Sequence, residues 1–150
     1  KYPDYTSYSN ANWEAFFPGQ SSQRYDVHTF SSCWIENLEH GIFRFHELPV
    51  QAQMSAIYGI LGGDFNRDGI TDILLTGNTS APNPFVGPYD AFNGLMLKGE
   101  GNGQLTPLTI QESGFYVPGE GRALVNIPFP KDSSLILSAE NSGPLRAFIY

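Results

Sequence analysis

Apolar residues in this chain fall in short clusters, punctuated by glycine, proline and asparagine. "IFRFHEL" alternates cleanly, with Ile42, Arg44 and His46 on one side and Phe43, Phe45 and Glu47 on the other. That period of two marks a half-buried strand. "DVHTF", "CWIEN", "AIYGILGGDF", "DILLTGN", "GLMLKG", "QLTPLTI", "RALVNIPF", "SSLILSAEN" and "PLRAFIY" alternate or carry β-forming residues and predict further strands. Turn signals separate them at Glu39-His40-Gly41, Gly101-Asn102-Gly103 and Ser142-Gly143-Pro144. Many short strands at near-even spacing predict an all-β architecture. Only "SNANWEAFFPG" reads as helix: Ser9 or Asn10 is the expected cap, Trp13, Phe16 and Phe17 share a face, and Pro18-Gly19 stops it within two turns. The expected division is an N-terminal arm with this helix over 1–24 and a β domain over 25–150.

Composition narrows the class. With 150 residues the chain can bury one real core. Charged residues make up only 15%, against 16 glycines and 11 prolines, which suits turn-rich β structure and argues against a disordered tail. The formal charge of −7 disfavours binding to nucleic acid phosphates and suits a protein that meets divalent cations or neutral ligands. One cysteine, Cys33, allows no internal disulfide, which leaves secretion open. No apolar run approaches the roughly 18 residues of a membrane helix. The chain begins at Lys1 rather than Met, and the expectation is a processed or truncated piece of a longer parent.

The densest chemistry lies in "GDFNRDGITDILLTGN". Counting from Asp64, oxygen-bearing side chains fall at positions 1, 3, 5 and 9, namely Asp64, Asn66, Asp68 and Asp72. Alternate residues of a tight loop point inward, so this spacing can surround one ion. Gly69 permits a sharp turn, and the carbonyl of Ile70 at position 7 adds an oxygen. With water, that reaches the six to eight oxygens Ca²⁺ prefers, whereas Mg²⁺ demands stricter geometry. An EF-hand would need Glu at position 12, where Leu75 stands, and helical flanks in place of strands. The competing reading is a metal-free Asp/Asn-Gly turn. It gives no reason for three mutually repelling carboxylates, so Ca²⁺ is the preferred expectation. Arg67 is expected to point outward and offset part of the charge.

A faint repeat accompanies the loop. "NLEHGIF" aligns with "GEGNGQL", and "DILLTGN" with "SLILSAEN", at shifts near 62. A period near 60 with about four strands per unit suggests propeller blades, the competing reading being chance similarity of Gly-rich hairpins. "GDFNRDGITDILLTGN" resembles the FG-GAP/VCBS-type repeat of integrin-like β-propellers, whose blades carry D-x-[DN]-x-D-G-x-x-D. "FSSCWIENLEHGIFRFHELPVQAQMSAIYGI" before it, and "GPYDAFNGLMLKGEGNGQLTPL", "ESGFYVPGEGRALV" and "LILSAENSGPLRAF" after it, extend the likeness over about 25–150. Together they resemble the C-terminal blades of large VCBS-repeat proteins with ASPIC/UnbV-type domains from Bacteroidetes-like bacteria. "NLEHGIF" lacks one usual glycine, and "IPFPKDSSLIL" stands where a second acidic loop would be, so one metal site is expected.

The resemblance implies Ca²⁺ ligands at Asp64, Asn66, Asp68, Ile70 (carbonyl) and Asp72, in about two blades of a larger propeller. Two blades leave sheet faces uncovered, so the expected partners are the remaining blades or another protein chain. The function implied is a non-catalytic, calcium-stabilised binding or scaffolding module. It would belong to a secreted or cell-surface protein of a Gram-negative bacterium, within an outer-membrane assembly. A carbohydrate-binding, lectin-like propeller is the alternative, and an accessory domain of a hydrolase the third reading.

Other candidates read as structural. His28, His40 and His46 have no partner at metal-ligand spacing, and Cys33 reads as a buried strand thiol. Asp90, Glu112 and Glu120 could supply the paired carboxylates of a glycosidase, but nothing fixes their separation, so no enzyme is expected. Asp90 and Arg122 read as a buried ion pair or as turn supports. "KGEGNGQL" lacks the Gly-Lys-Ser/Thr ending of a phosphate loop and reads as a hairpin. Tyr2, Tyr5, Tyr8 and Phe85 suit stacking on sugars or a protein, or an arm packed on a neighbouring blade, the second being preferred.

Overall fold

A computed structural model describes residues 2–21, 23, 25–80, 85–130 and 133–150. The chain divides into two compact units, Lys1–Phe30 and Ser31–Tyr150. The first holds two single-turn helices, α1 (Tyr5–Ser9) and α2 (Trp13–Phe16). Asn12, rather than Ser9 or Asn10, caps α2, because its side chain reaches the Ala15 amide at 3.0 Å. Asp4 caps α1, a helix the pattern did not announce, by accepting from the Ser7 amide at 2.7 Å. Tyr2, Tyr8 and Phe16 pack ring against ring, with centroids 5.1 to 6.0 Å apart. Residues 26–30 form no strand, although "DVHTF" has strand composition. Val27 and Phe30 stay exposed. Strand propensity is a packing signal, and these side chains bury no face.

The second unit is built from antiparallel sheets, so the all-β expectation holds. β1 (Cys33–Asn37) and β2 (Phe43–Glu47) form a hairpin. β3 (Ile57–Gly63), β4 (Asp72–Gly77), β5 (Leu95–Gly99) and β6 (Leu105–Leu108) form a four-stranded meander in chain order. A three-stranded meander follows: β7 (Gly121–Phe129), β8 (Ser133–Glu140) and β9 (Leu145–Ile149). One-turn helices lie at Val50–Gln53 and at α3 (Ile110–Ser113). Thr109 and Glu112 close α3 with a reciprocal capping box, which assigns Glu112 a structural task. The "NLEHGIF" and "GEGNGQL" segments both become turns of two-strand hairpins, β1–β2 and β5–β6.

The central strands β4 and β5 are covered on both faces, while Tyr58 and Ile60 of edge strand β3 stay exposed. One face of the sheet carries Leu61, Leu74, Met96 and Leu108, which pack with Leu124 and Ile136 of the next sheet around Phe65, Phe115 and Val117. The other carries Leu75, Leu95 and Leu97, which pack with Leu48, Ala52 and Phe92. A strand buried on both faces reads as a continuous apolar run, and "ILL" in β4 is that run. The outer sheets differ. In β7–β9, Leu124, Ile136 and Phe148 face the core, while Val125, Ile127, Leu145 and Ile149 on the opposite face are 40 to 65% exposed. The β1–β2 hairpin likewise exposes Ile35, Phe43 and Phe45.

Candidate metal centre

The acidic loop joins β3 to β4, and Phe65 anchors it. Phe65 is buried in the core, with its ring 5.6 Å from that of Tyr150. That contact pulls the start of the loop inward and leaves the next residues to turn in the open. Arg67 (φ +64°) and Gly69 (φ +82°) take left-handed backbone, which glycine tolerates and arginine resists. The turn points polar side chains back onto its own amides. Asp64 accepts from the Asp68 amide at 3.1 Å and the Gly69 amide at 2.9 Å, one on each oxygen. Asn66 accepts from the Asp68 amide at 2.9 Å and donates to Asp68 Oδ2 at 2.9 Å. Asp68 Oδ1 accepts from the Ile70 amide at 2.9 Å.

Asp72 does something else. It is fully buried at the first position of β4. Its Oδ2 accepts from the amides of Phe65 (3.1 Å) and Asn66 (3.3 Å), and its Oδ1 from the amide of Gly99 at the end of β5 (2.9 Å). One carboxylate thus ties the loop, β4 and β5 together. Gly99 must be glycine here, since a Cβ would strike the Thr71 carbonyl. Neither Gly99 nor this brace was visible in the sequence, because the contact spans 27 residues.

All five expected ligands, Asp64, Asn66, Asp68, Ile70 and Asp72, therefore lie in or beside one loop. Among the described residues, no three Asp, Glu, His or Cys side chains are gathered as a bound metal would gather them. The side chains fold onto backbone amides. The donor set is nonetheless all oxygen, and each oxygen of Asp64 takes one amide, leaving a lone pair apiece. That chemistry fits a hard cation such as Ca²⁺. Arg67 turns outward and donates to Ser133 Oγ at 3.2 Å. Among the described residues, the cation facing the loop is Lys98 of β5, whose Nζ lies 3.8 Å from Asp68 Oδ2 and 3.9 Å from Glu100 Oε2.

A second group of charges lies where the β6–β7 connection meets the β8–β9 turn. Arg122 pairs with Glu120 Oε2 at 2.7 Å and stacks over the Tyr58 ring at 4.1 Å, while Asp90 is exposed. Arg122 thus takes its carboxylate from the residue just before its own strand, and the expected pairing with Asp90 is not formed. Glu120 also accepts from Asn141 Nδ2 at 2.8 Å and from the Ser80 amide. Hydrogen bonds from Ser80, then Asn141, with help from Arg122, hold its pKa down to about 2. Beside it, Arg146 donates to the buried carboxylate of Glu140.

The hairpin and the four-stranded sheet border a pair of clefts of about 400 Å³ each, both lined by Trp34, Gly103, Gln104 and Leu105. Trp34 stacks on His46 at 4.1 Å, and His46 Nε2 meets Glu36 at 2.9 Å. His28 and His40 are exposed. Cys33 is a half-buried free thiol. Among the described residues no helix is long and apolar enough to cross a membrane. No family model, curated protein or solved structure matches the chain.

Proposed function

We propose that the chain is a segment of a calcium-stabilised β-propeller, serving as a non-catalytic binding or scaffolding module of a secreted or cell-surface protein. The observation that carries this reading is the exposed apolar face of β7–β9, next to strands β4 and β5, which are covered on both sides. Exposed apolar sheet faces call for another layer. The meander order of the sheets and the equivalent placing of the two repeat hairpins favour a further blade as that layer. An outer-membrane assembly supplies the setting that the resemblance suggests.

In this reading Asp64, Asn66, Asp68, Asp72 and the Ile70 carbonyl hold Ca²⁺. The ion neutralises the loop and favours the folded state because it binds that state alone. The chain's own residues supply the frame: Phe65 anchors the loop and Asp72 braces it to β5. Millimolar extracellular calcium suits such a site.

The layer is tested with an apolar-surface dye and by sedimentation. Residues 1–150 alone should bind the dye and self-associate, and a longer polypeptide carrying them should do neither. A dye-silent, monomeric 150-residue chain sinks the segment reading. The Trp34 clefts favour glycan binding as a second reading, since an indole beside Gln104 and Glu100 offers both stacking and hydrogen bonding. A glycan array signal lost in Trp34→Ala supports it, and a blank array removes it.

A further inference from the structure

We propose that Lys98 is a built-in counter-ion of the acidic loop that competes with the divalent cation for Asp68, and so sets how tightly the loop binds it. This rests on the calcium reading of the same loop. Among the described residues, the loop and its surroundings carry Asp64, Asp68 and Asp72 on the negative side and Lys98 on the positive side, with Glu100 just behind it. Arg67, the basic residue inside the loop, is committed to Ser133.

Lys98 is held in place by its neighbour. The Gly99 amide donates to the fully buried Asp72, so the backbone that carries the lysine is fixed to the loop it faces. At 3.8 and 3.9 Å the ammonium stands between Asp68 and Glu100 and is locked to neither. Without a metal it offsets the carboxylates that crowd the turn. A divalent ion taken up by Asp68 brings two like charges close to the ammonium. Glu100 gives that ammonium another place to go. Binding is thus an exchange of one cation for another, and the lysine weakens it.

Calcium titration by calorimetry on the intact polypeptide tests this, using CaCl₂ alone as the probe. Removing one charge at a separation of this size, at surface dielectric, should tighten binding of Lys98→Met about three- to tenfold over wild type. The gap should shrink in high salt, because the site is partly exposed. Lys98→Arg keeps the charge and should stay within about twofold of wild type, by the same Coulomb reasoning. Glu100→Gln should bind calcium more weakly, since it removes the lysine's second partner. In chelator Lys98→Met should melt below wild type, and in saturating calcium the two melts should converge. Equal affinities for wild type and Lys98→Met, or a melt lowered alike with and without calcium, overturn the proposal while leaving the calcium loop standing. No calcium heat in wild type or in Lys98→Met overturns both.

Discussion

Asp72 and Glu140 are both carboxylates withdrawn from solvent, yet they are satisfied in opposite ways. Asp72 is solvated by three backbone amides, from Phe65, Asn66 and Gly99. Glu140 is met by the guanidinium of Arg146, as its neighbour Glu120 is met by Arg122. Amides favour a carboxylate without cancelling its charge, whereas an arginine does both. Among the described residues, the Glu120–Glu140 corner therefore carries two acids and two arginines, while the loop carries three aspartates with Lys98 beside Asp68. The corner is complete on its own. The loop is where an added cation has something to neutralise.

The largest expected effect comes from Asp72→Ala. It strands three amide donors, and at about 1–3 kcal/mol for each unsatisfied buried group the loss should be roughly 4 kcal/mol. At about 2–4 °C per kcal/mol the melt, taken in chelator, should fall by about 10 °C. A fall of about 2 °C or less would mean Asp72 braces nothing.

Next comes calcium itself. At a free concentration about 100 times Kd it should stabilise the fold by about 2.7 kcal/mol, read as a higher melting temperature. Asp68→Ala should abolish that rise. A wild-type melt indifferent to chelator would reduce the loop to an Asp/Asn turn.

The corner should report through acid. Glu120 has a folded pKa of about 2 against an ordinary 4.5. Its contribution is present above 4.5 and is lost as the pH falls towards 2. Glu120→Gln should flatten that limb of the melting temperature against pH and leave calcium affinity unchanged. A calcium response altered by this change would join two clusters held here to be separate.

Arg67→Ala should have the smallest effect, within about 0.5 kcal/mol, as for exposed sites generally. It should also leave calcium affinity close to wild type, because Arg67 faces Ser133. A marked tightening would move the counter-ion role from Lys98 to Arg67.

Much of the second unit was legible from the chain. Nine of the ten strand segments read from it form strands, "DVHTF" being the exception. Period-two alternation and glycine turns are local signals and need no partner to be read. The helix cap was misplaced by two residues or more because several capping-type side chains crowd "SNAN", and hydrogen bonding selects among them. The loop's ligand-type residues were legible from their spacing. Lys98, Gly99 and the Glu140–Arg146 pair were not, since each acts across a strand or turn on a residue that local pattern does not reach.

The sequence by itself determined that this is an all-β protein with one crowded acidic turn, because side-chain alternation and backbone permissiveness act within a few residues. Tertiary structure decided what each carboxylate does. Whether an aspartate becomes a brace, a free ligand or half of an ion pair depends on which amide or cation a neighbouring strand delivers. For Asp72 that neighbour is Gly99 of β5.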